Sequence, residues 1–229
     1  MKGRHVFLII LLIILGDQAL KFYIKLNYHY GEEHHVLGSW FLLHFVENEG
    51  MAWGWSFGGE FGKIALTLFR LAAVIFGVFY LRKIIKNKEH KGFIACAALI
   101  FAGALGNLID SMFYGLIFSR TIHDGSNVAQ LFPDGGGYAS FLHGQVVDML
   151  HFPLFTGTFP KWFPVWSGEE FLFFNPVFNI ADASISIGVI AILIFQKKFF
   201  GKHPQKAEVV EQPVTNTEIT ETPSSQTAE

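Results

Sequence analysis

Residues 103–110 read G-A-L-G-N-L-I-D, and they decide what kind of chain this is. They close an apolar helix on an asparagine and an aspartate, where a lipid-embedded helix would keep only apolar groups. Two further segments answer with carboxylates, V-V-D ending at Asp148 and F-N-I-A-D ending at Asp182. Ionisable groups at membrane depth are expensive to place and mark function, so the three segments are read together as one intramembrane site.

The composition around them agrees with a lipid surrounding. Of 229 residues 51% are apolar and 26 are Phe, mean hydropathy is positive, and several apolar runs approach the roughly 20 residues that cross a bilayer. The expected fold class is an all-α membrane protein with four transmembrane helices, over about 5–25, 63–85, 93–110 and 179–196. Two extracytoplasmic segments separate them. Residues 26–62 hold a strand over Trp40–Val46 and the turn-like N-E-G-M-A-W-G of Asn48 to Gly54; residues 111–177 form a long aromatic, Gly-rich insertion that reads as loop. The membrane domain closes at residue 202, and 203–229 reads as a disordered acidic tail, with five acids and no base from Ala207 onward. A net charge of −2 without a basic face argues against nucleic acid as a partner. The single cysteine, Cys96, lies in an apolar span, so neither an intrachain disulfide nor a catalytic thiol is expected.

Eleven of the 17 Lys and Arg residues lie at the N-terminus, in the 82–91 loop and in the 197–206 flank. Cytoplasmic loops carry this excess, so both termini are expected inside, with the first and third spans running outward. Asp17, Lys21, Asn107, Asp110, Asn179 and Asp182 then converge near the outer boundary although they come from separate parts of the sequence. Asp17 and Lys21 stand four apart on one helix face and can neutralise each other. Ala98, Ala102 and Gly106 repeat at the same interval, a small stripe that admits a neighbouring helix. Arg70, within the second span, is expected to sit shallow and snorkel outward.

The chain lacks H-E-x-x-H and G-x-S-x-G, and His143 and His151 flank Asp148 without a compact zinc spacing, so no metal and no cofactor are expected. Two carboxylates in a poorly solvated site hold one proton between them. The ionised one can take a proton from water while the protonated one polarises a carbonyl, which hydrolyses an amide without further help. A proton-coupled transporter would use the same carboxylates as relays, and a membrane scaffold would not need them. Four spans, a site crowded on one side and no visible inverted repeat argue against transport.

Five blocks carry a family resemblance: D-Q-A-L-K at Asp17 to Lys21, N-E-G-M-A-W-G at Asn48 to Gly54, G-A-L-G-N-L-I-D at Gly103 to Asp110, V-V-D at Asp148 and F-N-I-A-D at Phe178 to Asp182. In that order the chain resembles the lipoprotein signal peptidases, the type II signal peptidases, over about residues 5–200. The resemblance implies a multi-pass aspartic endopeptidase of the cytoplasmic (inner) membrane, active near the periplasmic face; a monomer among membrane lipid is expected. Its substrates would be diacylglyceryl-modified prolipoproteins, cut on the N-terminal side of the lipidated cysteine. It also implies Asp148 and Asp182 as the catalytic dyad, with Asp17, Lys21, Asn48, Gly50, Gly103, Asn107, Asp110, Asn179 and Ala181 shaping the pocket. Two departures stand out. Ser111 occupies the place where the family carries Arg, leaving Arg70 or Arg120 to supply the counter-charge, and the insertion before V-V-D is long enough to form a membrane-surface cap.

Overall fold

A computed structural model describes residues 1–48, 59–153, 155–162, 164, 166–173 and 176–201. Gly50 and the 203–229 tail therefore lie outside the described residues. The helices are α1 (Gly3–Asn27), α2 (Gly59–Lys86), α3 (Lys91–Ile117) and α4 (Ile180–Phe200). All four are long and apolar enough to cross a membrane, and they leave Phe7, Phe69, Phe76, Phe79 and Leu193 exposed on their outer faces. Lipid tails are as apolar as these side chains, so packing between helices depends on how closely their backbones approach.

The third helix is the axis, lying against α1, α2 and α4, and its small residues mark the contacts. A Cβ on Gly103 would stand 2.2 Å from the Ala181 carbonyl oxygen, and one on Gly188 would stand 2.8 Å from the Cys96 carbonyl oxygen, so α3 and α4 touch backbone to backbone. Gly106 opens α3 toward α1, where a Cβ would meet the Asp17 carboxylate at 3.0 Å. Ala98 and Ala102 are fully buried on the same stripe. The helix does not stop at Asp110; it continues about two turns to Ile117, which puts Asp110 inside the helix, fully buried.

Strands β1 (Glu33–Leu37), β2 (Phe41–Asn48), β3 (Val146–His151) and β6 (Val177–Phe178) form one antiparallel sheet in the order β1-β2-β3-β6. A separate hairpin pairs β4 (Phe155–Thr158) with β5 (Glu170–Phe173). The expected loop around V-V-D is thus an interior strand. β3 is buried nearly throughout, so it lacks the polar alternation that would betray a half-exposed strand. Ile24, Tyr28, Phe45, Tyr114, Phe118, Val147 and Met149 form the core that fastens this sheet to the ends of α1 and α3. The buried Lys25 ammonium sits in that core, paired with Glu47 and 3.1 Å from the Thr121 hydroxyl. The insertion folds back on α3: Ala139 and Gly144 amides donate to the Gly115 and Ser111 carbonyls at 2.9 Å each.

Candidate active site

The site is built where α4 begins. Asn179 precedes the first helical residue with extended backbone, and its side-chain oxygen accepts from the Asp182 amide at 2.8 Å. This cap satisfies one of the amides that a helix start leaves unpaired. The Ala181 amide is satisfied from another helix, by Asp17 Oδ1 at 2.9 Å. Two side chains of α1 and the chain before α4 thus hold the start of α4 in one orientation.

Asn179 also reaches the other way. Its Nδ2 donates to Asp148 Oδ1 at 2.7 Å and lies 3.2 Å from Asn107 Oδ1. Asn107 Nδ2 donates in turn to Asp182 Oδ1 at 2.7 Å. The two carboxylates nominated from the sequence are therefore joined by a pair of amides, one at the α4 cap and one inside α3. Asn48, the last residue of β2, places its Nδ2 3.5 Å from Asp148 Oδ2. Asp148 is 3% exposed, and its carboxyl is pushed up to about 7, chiefly by burial and then by the Asp182 charge. A carboxyl so placed keeps its proton at a pH where an ordinary one would have lost it.

Beneath this pair lies a second layer with a different task. Lys21 Nζ sits 2.8 Å from Asp17 Oδ2, 2.7 Å from Asp110 Oδ2 and 3.0 Å from Asn107 Oδ1, with all of these side chains buried. Three oxygens use the three protons of the ammonium. The Asp17–Lys21 pair expected from spacing is thus two members of a three-residue ion cluster that crosses from α1 to α3 and, through Asn107, touches the Asp148–Asp182 pair. Gln18, overlooked in the sequence, belongs to it: its Nε2 donates to Asp110 Oδ1 at 2.8 Å and its Oε1 accepts from the Tyr114 hydroxyl at 3.1 Å. The signal was available, since Gln18 is a polar residue inside an apolar span beside Asp17.

Gly103 and Ala181 meet at the close α3–α4 contact, where a Cβ on Gly103 would stand 2.2 Å from the Ala181 carbonyl oxygen. Arg70 does not snorkel outward: its Nη1 donates to the Ser111 hydroxyl at 3.0 Å, which itself donates to the Asn107 carbonyl at 3.0 Å. The position after Asp110 therefore carries a hydroxyl that receives a guanidinium from α2. Arg120 is exposed on the insertion, 3.4 Å from the Tyr138 carbonyl, away from this cluster.

A family model described as signal peptidase (SPase) II matches residues 9–198. A lipoprotein signal peptidase of Porphyromonas gingivalis is 48% identical over 194 residues, covering 84% of this chain and 83% of the relative. One from Amoebophilus asiaticus is 35% identical over 217 residues, 93% of this chain and 86% of the relative. The fold is similar to a solved structure described as "Bacterial membrane enzyme structure by the in meso method at 2.3 A resolution", with TM-score 0.57, 23% identity, and coverage of 89% of this chain and 94% of that one.

Proposed function

The chain belongs to the signal peptidase II family, the lipoprotein signal peptidases, and on that premise we propose that Asp148 and Asp182 are the dyad with which it hydrolyses the signal peptide from a prolipoprotein. The observation that carries this is the amide bridge, in which Asn179 holds Asp148 at 2.7 Å and Asn107 holds Asp182 at 2.7 Å. Amides aimed at both carboxylates fix their directions without neutralising either.

Asp148, with its carboxyl raised toward 7, carries the shared proton and donates it toward the scissile carbonyl oxygen. Asp182 takes a proton from water as that water attacks the carbonyl carbon. The tetrahedral intermediate collapses as Asp182 passes the water's proton to the leaving nitrogen, the C–N bond breaks, and a hydroxyl of the intermediate returns its proton to Asp148. No redox step or added group enters this balance. The bond cut lies on the N-terminal side of a diacylglyceryl cysteine, and a membrane-depth dyad suits a substrate whose cleavage point is tethered to lipid. Basic residues at the N-terminus, in 82–91 and at Lys197 and Lys198 support cytoplasmic termini in the inner membrane, with the dyad toward the outer face. The 111–177 insertion then covers that face, its Phe and Trp residues favouring the interface. Transport by the same carboxylates is set aside, because the family is a protease.

The test is cleavage of a diacylglyceryl-modified prolipoprotein by the full chain in detergent. The parent should cut, while Asp148→Asn and Asp182→Asn, each still folded, should not. Normal cutting by either variant would remove that aspartate from the dyad.

A further inference from the structure

Glu33, His44 and His151 come from three neighbouring strands, β1, β2 and β3, and offer three ligand atoms that all lie within 4.8 Å of one another. Glu33 pairs directly with His44 across β1 and β2, and His151 pairs with Leu42, two residues from His44. Residues two apart on a strand share a face, so the register itself sets the three side chains together. None of them takes part in the dyad or in the ion cluster around Lys21.

We propose that Glu33, His44 and His151 form a binding site for a divalent transition-metal ion of the zinc class. Two imidazoles and one carboxylate are a ligand set that holds Zn²⁺ with one position left for water. Tetrahedral bonds of about 2.0–2.2 Å require ligand atoms about 3.3–3.5 Å apart. Here Glu33 Oε1 is 3.0 Å from His44 Nδ1 and 3.9 Å from His151 Nδ1, so side-chain shifts of about 1 Å bring all three onto one ion. The second observation concerns His44 alone. Its Nδ1 is shut off from solvent and close to Glu33, yet makes no hydrogen bond of acceptable geometry among the described residues. A buried ring nitrogen that lies beside a carboxylate but is turned away from bonding it is explained when both point at a third atom.

The ion would tie the edge strand β1 to β3 across β2. β3 carries Asp148 three residues before His151, so the metal would stiffen the strand that presents one catalytic carboxylate without entering the hydrolysis. This does not depend on the dyad assignment.

The experiment is calorimetric titration of Zn²⁺ into the full chain in detergent, after chelation and desalting. The parent should bind one equivalent saturably, with His44→Ala and Glu33→Gln each weakening the affinity at least tenfold. The exposed His34→Ala should leave it unchanged. X-ray absorption of the loaded parent should show two imidazoles in the first shell, a readout that survives if His151→Ala fails to fold. Absence of a saturable equivalent in the parent, affinity undiminished in His44→Ala, or a first shell without imidazole would each overturn the site.

Discussion

Asn179 stands 2.7 Å from Asp148 through its nitrogen, while its oxygen caps the Asp182 amide at 2.8 Å. One side chain thus starts α4 and orients a carboxylate of β3, and the two duties can be separated. Asn179→Ser keeps a good N-cap but is too short to reach Asp148, whereas Asn179→Ala loses both. The Ala variant should lose about 1 kcal/mol of stability, and the Ser variant little. Both should cleave about 10–100-fold more slowly, as misplacement of a reacting group does. Melting and cleavage measured side by side check this; a Ser variant as fast as the parent would leave Asn179 as a cap only.

The Asp148 carboxyl, raised to about 7 by burial and then by Asp182, makes stability depend on pH. Unfolded, it would titrate near ~3.9. Because the folded value is the higher, its contribution is fully present below ~3.9 and is lost as pH rises toward 7. The loss is at most about 1.4 kcal/mol per unit in that window. Asp148→Asn removes the buried charge, so its stability advantage over the parent should open between pH 4 and 7 and hold steady above. Melting curves in detergent across pH 4–8 would show it. A difference that stays constant over the range would mean that Asp148 titrates normally.

Lys21 is the single ammonium between two buried carboxylates, Asp17 and Asp110. Lys21→Met leaves both buried without it, and breaking a buried pair in this way costs about 3–5 kcal/mol. The variant should be recovered poorly or melt far below the parent. Adding Asp17→Asn and Asp110→Asn to Lys21→Met removes the stranded charges and should restore much of the folded yield, though not the hold of Lys21 on Asn107. A triple variant no better than the single one would place the role of Lys21 outside charge balance.

The helices were legible because lipid demands apolar composition over a fixed length, and polar residues that break that rule, such as Asp17, Asn107 and Asp182, announce themselves. Strand β3 was not. Its neighbours β2 and β6 are remote in sequence, β6 has two residues, and V-V-D without polar alternation has no period to find. The Glu33, His44 and His151 cluster escaped for the same reason, since only the strand register brings it together. Ion-pair spacing along α1 revealed Asp17 with Lys21, but the third member, Asp110, required knowing which faces of α1 and α3 meet.

Arg70 shows the same limit, because apolar residues surround it on α2 and no periodicity tells whether it turns to lipid or to Ser111. Its guanidinium, 3.0 Å from the Ser111 hydroxyl, sets a positive charge beside the site, and a nearby cation favours an ionised carboxylate. Arg70→Gln retains a donor and removes the charge. The dyad should then hold its shared proton to higher pH, moving the alkaline limb of the cleavage profile upward, with a lower rate at the parent's optimum. Arg70→Lys should return the limb toward its original position, since a point charge suffices for that effect even where the fork geometry is lost. The measurement is cleavage rate against pH for the three proteins. A Gln variant that is slower at every pH with an unmoved limb would make Arg70 a packing residue of the α2–α3 contact, and its charge irrelevant to the dyad.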